Sequence, residues 1–80
     1  MYDVYILLSE KDKKRYIGCS GNLERRLSEH QAGLVKSTRN RRPLKLVYKE
    51  TFPDKQAAMN REKFFKSGKG REFLNKKLTD

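Results

Sequence analysis

Apolar and polar positions alternate over residues 2–9. Tyr2, Val4, Ile6 and Leu8 fall on one side and Asp3, Tyr5 and Leu7 on the other, the period-two pattern of a strand. Residues 10–13, Glu-Lys-Asp-Lys, make a polar turn, and residues 14–19 read as the returning strand, with Ile17 and Cys19 on its apolar face. Setting Ile6 opposite Ile17 places Tyr5 opposite Gly18 and Leu7 opposite Tyr16. The two tyrosines then share a face as diagonal neighbours, about 7–8 Å apart. A one-residue slip would send them to opposite faces, so the apolar pattern itself selects the register. A glycine opposite Tyr5 is expected to leave open space over the phenol.

The period then changes. Asn22 is a good N-cap for a helix over about residues 23–32, and Gly33 suits the left-handed position that ends it. At about 100° per residue, Leu23, Leu27 and His30 share an apolar stripe, Arg26 lies on its edge, and Arg25 points away. Residues 35–43 form a basic loop closed by Pro43, which bars helix continuation. Residues 44–52 read as a third strand, with Leu44, Leu46 and Tyr48 on one face and a continuous apolar centre that predicts an inner position. Pro53-Asp54 introduces a helix over 55–67 ended by Gly68, with Ala58, Phe65 and Glu62 on its apolar face. A short helix over 71–78 follows, with Phe73, Leu74 and Leu78 available to the core. The expectation is one α+β domain over residues 1–80, a three-stranded antiparallel sheet flanked by helices in the order β-β-α-β-α-α, with no repeats or linker.

Composition narrows the partners. In 80 residues there are 20 Lys+Arg against 10 Asp+Glu, a formal charge of +10, which favours a polyanion: DNA, RNA or an anionic membrane surface. At this size roughly 60% of the unfolded surface can be buried, so the core must be compact. One cysteine, Cys19, cannot form an internal disulfide, and one Cys with one His cannot build a zinc site. With no long apolar run and no signal-peptide pattern, the chain is expected to be soluble and cytoplasmic, without a membrane.

Five residues depart from the ordinary expectation at their positions: Tyr5, Tyr16, Arg26, His30 and Glu62. Singly, each has a bland explanation, such as strand packing, a snorkelling arginine, a satisfied core histidine or a structural ion pair. Together, in a very basic domain, they supply what phosphodiester hydrolysis needs. A carboxylate can hold a divalent cation, Mg²⁺ or Mn²⁺, against a phosphate oxygen. An arginine can clamp the phosphate, and a phenol or imidazole can orient or deprotonate water. A single carboxylate points to a one-metal site. Tyrosine is a poor base at its reference pKa of about 10, and a cation with Arg26 nearby is expected to lower that value.

Val4-Tyr5-Ile6, a spacer, and Tyr16-Ile17-Gly18 resemble the paired signature of the GIY-YIG nuclease superfamily, which includes homing endonucleases and the N-terminal nuclease domain of a repair excinuclease. Asn-Leu-Glu-Arg-Arg-Leu-Ser-Glu-His over 22–30 and Arg61-Glu62-Lys63-Phe64-Phe65-Lys66 are similar to the family's helix motifs. The likeness covers nearly the whole chain and is closest to small stand-alone members. The first triplet here reads Val-Tyr-Ile. The resemblance implies that Tyr5 is the activating tyrosine, Tyr16 its partner, Arg26 the phosphate clamp and Glu62 the metal ligand, with His30 supporting Tyr16 or the water. Asn75 loosely matches the family's late asparagine.

Substrate contact is expected from Lys36, Arg39, Arg41 and Arg42. These lack interleaved aromatics, which favours phosphate contact over base stacking. The leading expectation is a divalent-metal-dependent DNA endonuclease, with a role in repair or recombination. The alternatives are a non-catalytic nucleic-acid-binding module of a larger assembly and an RNA-directed nuclease. So small a surface also points to a protein partner or a second copy.

Overall fold

The computed structural model describes residues 1–78. Strands β1 (Tyr2–Ser9) and β2 (Arg15–Ser20) are followed by helix α1 (Leu23–Gln31), strand β3 (Leu44–Phe52) and helices α2 (Lys55–Phe65) and α3 (Gly68–Leu78). A single 3₁₀ turn, Arg39–Arg41, interrupts the loop before β3. The sheet is antiparallel in the order β2-β1-β3. The fold is thus the expected α+β arrangement.

The register of β1 with β2 is the one the apolar pattern selects: Ile6 faces Ile17, Tyr5 faces Gly18 and Leu7 faces Tyr16. Because β1 is central, both its faces are buried. Val4 and Ile6 pack with Ala58, Phe65 and Leu74 from α2 and α3. On the opposite face Tyr5 and Leu7 pack with Leu44, Tyr16, Leu23 and Leu27 beneath α1. At roughly 1.5–3 kcal/mol for each large apolar side chain buried, these two half-cores supply most of the driving force available to so short a chain.

The third strand differs from expectation in two respects. It lies at the sheet edge, paired with β1 alone. A bulge opposite Ile6 and Leu7 pairs Tyr48 with Ile6 but Leu46 with Leu7. The extra residue, Val47, breaks the strict alternation, so Leu44 joins the Tyr5 face while Val47 and Tyr48 pack on the other. Leu46 is left 38% exposed. The continuous apolar run therefore marks a bulge, where neighbouring side chains turn to one core.

Local signals act as their chemistry requires at both ends of α1. The Asn22 side chain accepts from the Arg25 amide at 3.1 Å, and Gly33 takes φ +80° to end the helix. At the end of α2 the outcome differs. Its cap is Lys66, and Gly68 opens α3 three residues earlier than expected. The cause is contact rather than propensity. A Cβ on Gly70 would lie 1.9 Å from the Phe64 carbonyl oxygen, so only glycine lets the start of α3 seat against the end of α2.

Arg61 secures this end of the core. Its guanidinium lies 4.7 Å from the ring centres of Phe64 and Phe65 and 5.0 Å from that of Phe73, and it bonds Glu50 on β3 at 2.7 Å. Replacing Gly70 with alanine forces backbone against backbone and is expected to lower unfolding free energy by about 2 kcal/mol. A shifted denaturant midpoint at unchanged slope measures it.

Candidate active site

Three rings meet between β1, β2 and α1. Tyr5 and Tyr16 have centroids 6.4 Å apart, and His30 stands edge-on to both, at 5.7 and 5.1 Å. Strand alternation aims both phenols at α1, and the helical stripe turns His30 back toward them. Tyr5 is 1% exposed and His30 fully buried. Burial of the phenol is accommodated by Gly18: a Cβ there would sit 2.5 Å from the Tyr5 hydroxyl oxygen. The space expected over the phenol is therefore filled by the phenol itself.

Buried polar groups need partners, and these have them. The Tyr5 hydroxyl is 3.0 Å from His30 Nε2, and His30 Nδ1 is 2.8 Å from Thr38 Oγ1. His30 thus serves Tyr5 directly and meets Tyr16 through its ring. Thr38, also fully buried, is the residue that sequence reasoning passed over. Its only sequence-level signal is a small hydroxyl in a basic loop, a place where threonine is ordinarily exposed. The bond from Thr38 to α1 anchors the loop against the ring cluster.

Arg26 projects from the edge of α1, 3.0 Å from Glu29, and lies beside the Tyr5 phenol. Burial raises the Tyr5 pKa above its usual value, and Arg26 acts in the opposite direction. Burial wins, so the expected lowering is not found in the protein by itself: at neutral pH the resting phenol keeps its proton. Burial, assisted by the Arg26 charge, also holds the His30 pKa below its usual value. The resting imidazole is therefore neutral. Tyr16 is half-buried, and its hydroxyl has no protein partner among the described residues.

Glu62 stands on α2, against the other side of β2. It lines a hollow with Tyr2, Cys19, Ser20, Gly21, Lys55 and Met59 and pairs with Lys66 at 3.2 Å. Its charge reaches the ring cluster, raising the pKa of the Tyr5 phenol as a minor contribution beside burial. Among the described residues no group of three or more His, Cys, Asp or Glu could enclose a metal ion. A hard divalent cation held by one carboxylate, with waters and substrate phosphate oxygens completing its shell, still fits this donor set. Glu62 is the residue that would hold it, in place of Lys66.

The remaining candidates divide. Arg41 is engaged by Asp12 at 2.9 Å, and Arg42 lies over Gly33, donating to the Arg39 and Gln31 carbonyls at 3.0 and 3.3 Å. Lys36 and Arg39 are exposed, with no side-chain partner among the described residues. Asn75 accepts from Arg15 at 2.9 Å and so ties α3 to the start of β2, outside the ring cluster.

A family model of the GIY-YIG catalytic domain matches residues 1–77. The chain belongs to the GIY-YIG family. It is similar to a UPF0213 protein of Lactiplantibacillus plantarum, 48% identical over 68 residues that make up 81% of this chain and 66% of that protein. A UPF0213 protein of Natronomonas pharaonis is 49% identical over 65 residues, 80% of this chain and 75% of the relative. The chain thus spans two thirds to three quarters of these relatives. The solution NMR structure of a UPF0213 protein from Bacillus halodurans superposes with a TM-score of 0.56 at 38% identity, covering 92% of this chain and 82% of that one. The GIY-YIG assignment places the chain in a nuclease family, and the described residues contain no helix long and apolar enough to cross a membrane.

The depressed His30 pKa has a thermodynamic consequence. Between the folded value and the unfolded value of about 6.5, the unfolded chain binds more protons, so His30's contribution to stability is complete above about pH 6.5. It is lost as pH falls through the folded value. Denaturant midpoints are expected to decline on acidification through this window, and His30→Gln is expected to remove part of that decline. Identical pH profiles for the two proteins would show that His30 titrates freely.

Proposed function

We propose that this GIY-YIG domain is a divalent-metal-dependent endonuclease that hydrolyses DNA phosphodiester bonds. The observation that carries the reading is the buried chain of hydrogen bonds from Tyr5 through His30 to Thr38, with Arg26 beside the phenol. With the proton on Nδ1, His30 donates to Thr38 and accepts the Tyr5 O–H at Nε2. As an attacking water gives its proton to the Tyr5 oxygen, the phenolic proton passes to Nε2, so the positive charge comes to rest on a His30 imidazolium while the water oxygen carries its negative charge onto the phosphorus centre. A neutral phenol and a neutral imidazole are the resting states this transfer requires.

Arg26 clamps the phosphate and screens negative charge on the phenol. Tyr16, with its hydroxyl free of protein partners, orients the water. Glu62 would hold Mg²⁺ or Mn²⁺, which would supply Lewis-acid stabilisation of charge on the leaving oxygen.

A second reading has its own support. With Tyr5 only 1% exposed, the same fold serves equally as a nucleic-acid-binding module that does not cut. RNA is the alternative substrate under either reading, because the charge pattern recognises phosphates common to both.

Nicking of labelled single-strand, duplex and branched DNA and of RNA with Mg²⁺ separates the readings, with repair and recombination intermediates among the branched substrates. Cleavage is expected with wild-type protein. Tyr5→Phe is expected to cut about 10²–10⁴-fold more slowly, the range for loss of a general base, and Glu62→Ala to lose the metal-dependent reaction. Binding without cleavage on every substrate would select the module. Undiminished cleavage by both variants would remove the mechanism.

Thr38→Val tests the end of the chain of hydrogen bonds. Removing its hydroxyl leaves His30 Nδ1 unpaired at a cost of about 1–3 kcal/mol. It is also expected to slow cleavage and alter the ¹⁵N shifts of the His30 ring, which a loss of stability alone would not do.

A further inference from the structure

The stretch Lys66-Ser67-Gly68-Lys69-Gly70-Arg71 has no role in the ring cluster, yet the packing gives it a place. The close seating of Gly70 on the Phe64 carbonyl sets the α2–α3 junction beside the β2 edge. There Lys13, Lys14, Arg15, Tyr16, Ile17, Lys66, Arg71 and Leu74 line a hollow of about 530 Å³. Five of these eight residues are cationic, while Ile17 and Leu74 supply an apolar floor.

Two of the five charges of this hollow are uncommitted and a third is only loosely paired. Lys14 and Arg71 are exposed, and neither side chain has a partner among the described residues. Lys13 approaches Glu10 only at 4.0 Å, with both side chains at least half exposed, a pairing of little energy. Arg15 is held in place by Asn75 without losing its charge. The basic loop is divided: Arg41 and Arg42 are occupied within the protein, while Lys36 and Arg39 are exposed. The hollow also shares residues with the candidate active site. Tyr16 belongs to both, and Lys66 spans the hollow and Glu62.

We propose that this hollow between β2 and α3, rather than the loop over residues 36–42, is the principal phosphate track of the domain. It would hold the backbone of a nucleic-acid strand to one side of the scissile phosphate, with Lys13, Lys14 and Arg71 as its contacts and Lys66 at the boundary with the active site. The inference deepens the nucleic-acid reading above but does not require that the domain cut.

Two variants of equal charge test it: Lys14→Ala/Arg71→Ala in the hollow and Lys36→Ala/Arg39→Ala in the loop. All four side chains are exposed, and thermal melts check that both proteins stay folded. Anisotropy of fluorescent single-strand and duplex DNA oligonucleotides is titrated across salt concentrations in EDTA, so binding is read without catalysis. The hollow variant is expected to bind at least about fivefold more weakly at low salt. Its log–log salt slope should be smaller by about 1.4–1.8, the value for two lost phosphate contacts. The loop variant should change less on both counts, and Lys14→Arg/Arg71→Lys should restore binding. Equal losses in both variants, a larger loss in the loop variant, or unchanged binding in the hollow variant would overturn the proposal. Each of those results leaves the cleavage test untouched. Conversely, a wild-type protein that binds but never cuts removes the nuclease reading and leaves the track in place.

Discussion

Everything in this domain rests on a central strand buried on both faces. The first strand has few residues with which to hold two half-cores together. It does so because Val4 and Ile6 serve the α2–α3 side while Tyr5 and Leu7 serve the α1 side. In this domain the core and the ring cluster share one strand. Tyr5 is accordingly a packing residue and a polar one at once. Its ring fills the space that Gly18 leaves, and its hydroxyl meets the histidine that α1 turns inward.

That double duty explains the electrostatics of the ring cluster. Removing a phenol and an imidazole from water penalises their charged forms, and a single arginine at the helix edge does not reverse the penalty. Both groups rest neutral, coupled by one hydrogen bond and backed by a threonine. The same burial opposes transfer of a proton within the pair by itself, since that would make a phenolate and an imidazolium together. On the far side of β2, Glu62 contributes a carboxylate whose neighbour in sequence, Arg61, faces elsewhere. Arg61 lies over three phenylalanine rings and is bonded to Glu50, so one helical motif divides into an arginine that braces the core and a glutamate that lines a hollow beside β2.

The distribution of positive charge follows a similar division. A formal +10 says only that polyanions will be attracted. Two of the loop arginines hold their own loop together, through Asp12 and through backbone carbonyls. Lysines and arginines at the hairpin tip and at the α2–α3 junction, far apart in the chain, meet in one hollow. A run of basic residues in sequence is thus a poor guide to where a phosphate can lie, because a guanidinium with several donors is as useful for closing a loop as for binding a ligand.

Where periodic signals have a single physical meaning, residues alone determined the outcome. Period-two alternation with one glycine selected the pairing of β1 with β2. The Asn22 cap and Gly33 bounded α1, and the wheel of α1 brought His30 inward with Arg26 at its edge. Tertiary structure decided what depends on contacts distant in the chain. The bulge that splits Leu46 from Tyr48, and the edge position of β3, follow from which strand lies beside β1. The early start of α3 follows from Gly70 meeting the Phe64 carbonyl. Thr38 carries no periodic mark, and its burial against His30 exists only once the loop folds back over α1. The direction of the Tyr5 pKa likewise required the structure, because it is a balance between burial and a neighbouring charge, and the sequence shows the charge without the burial.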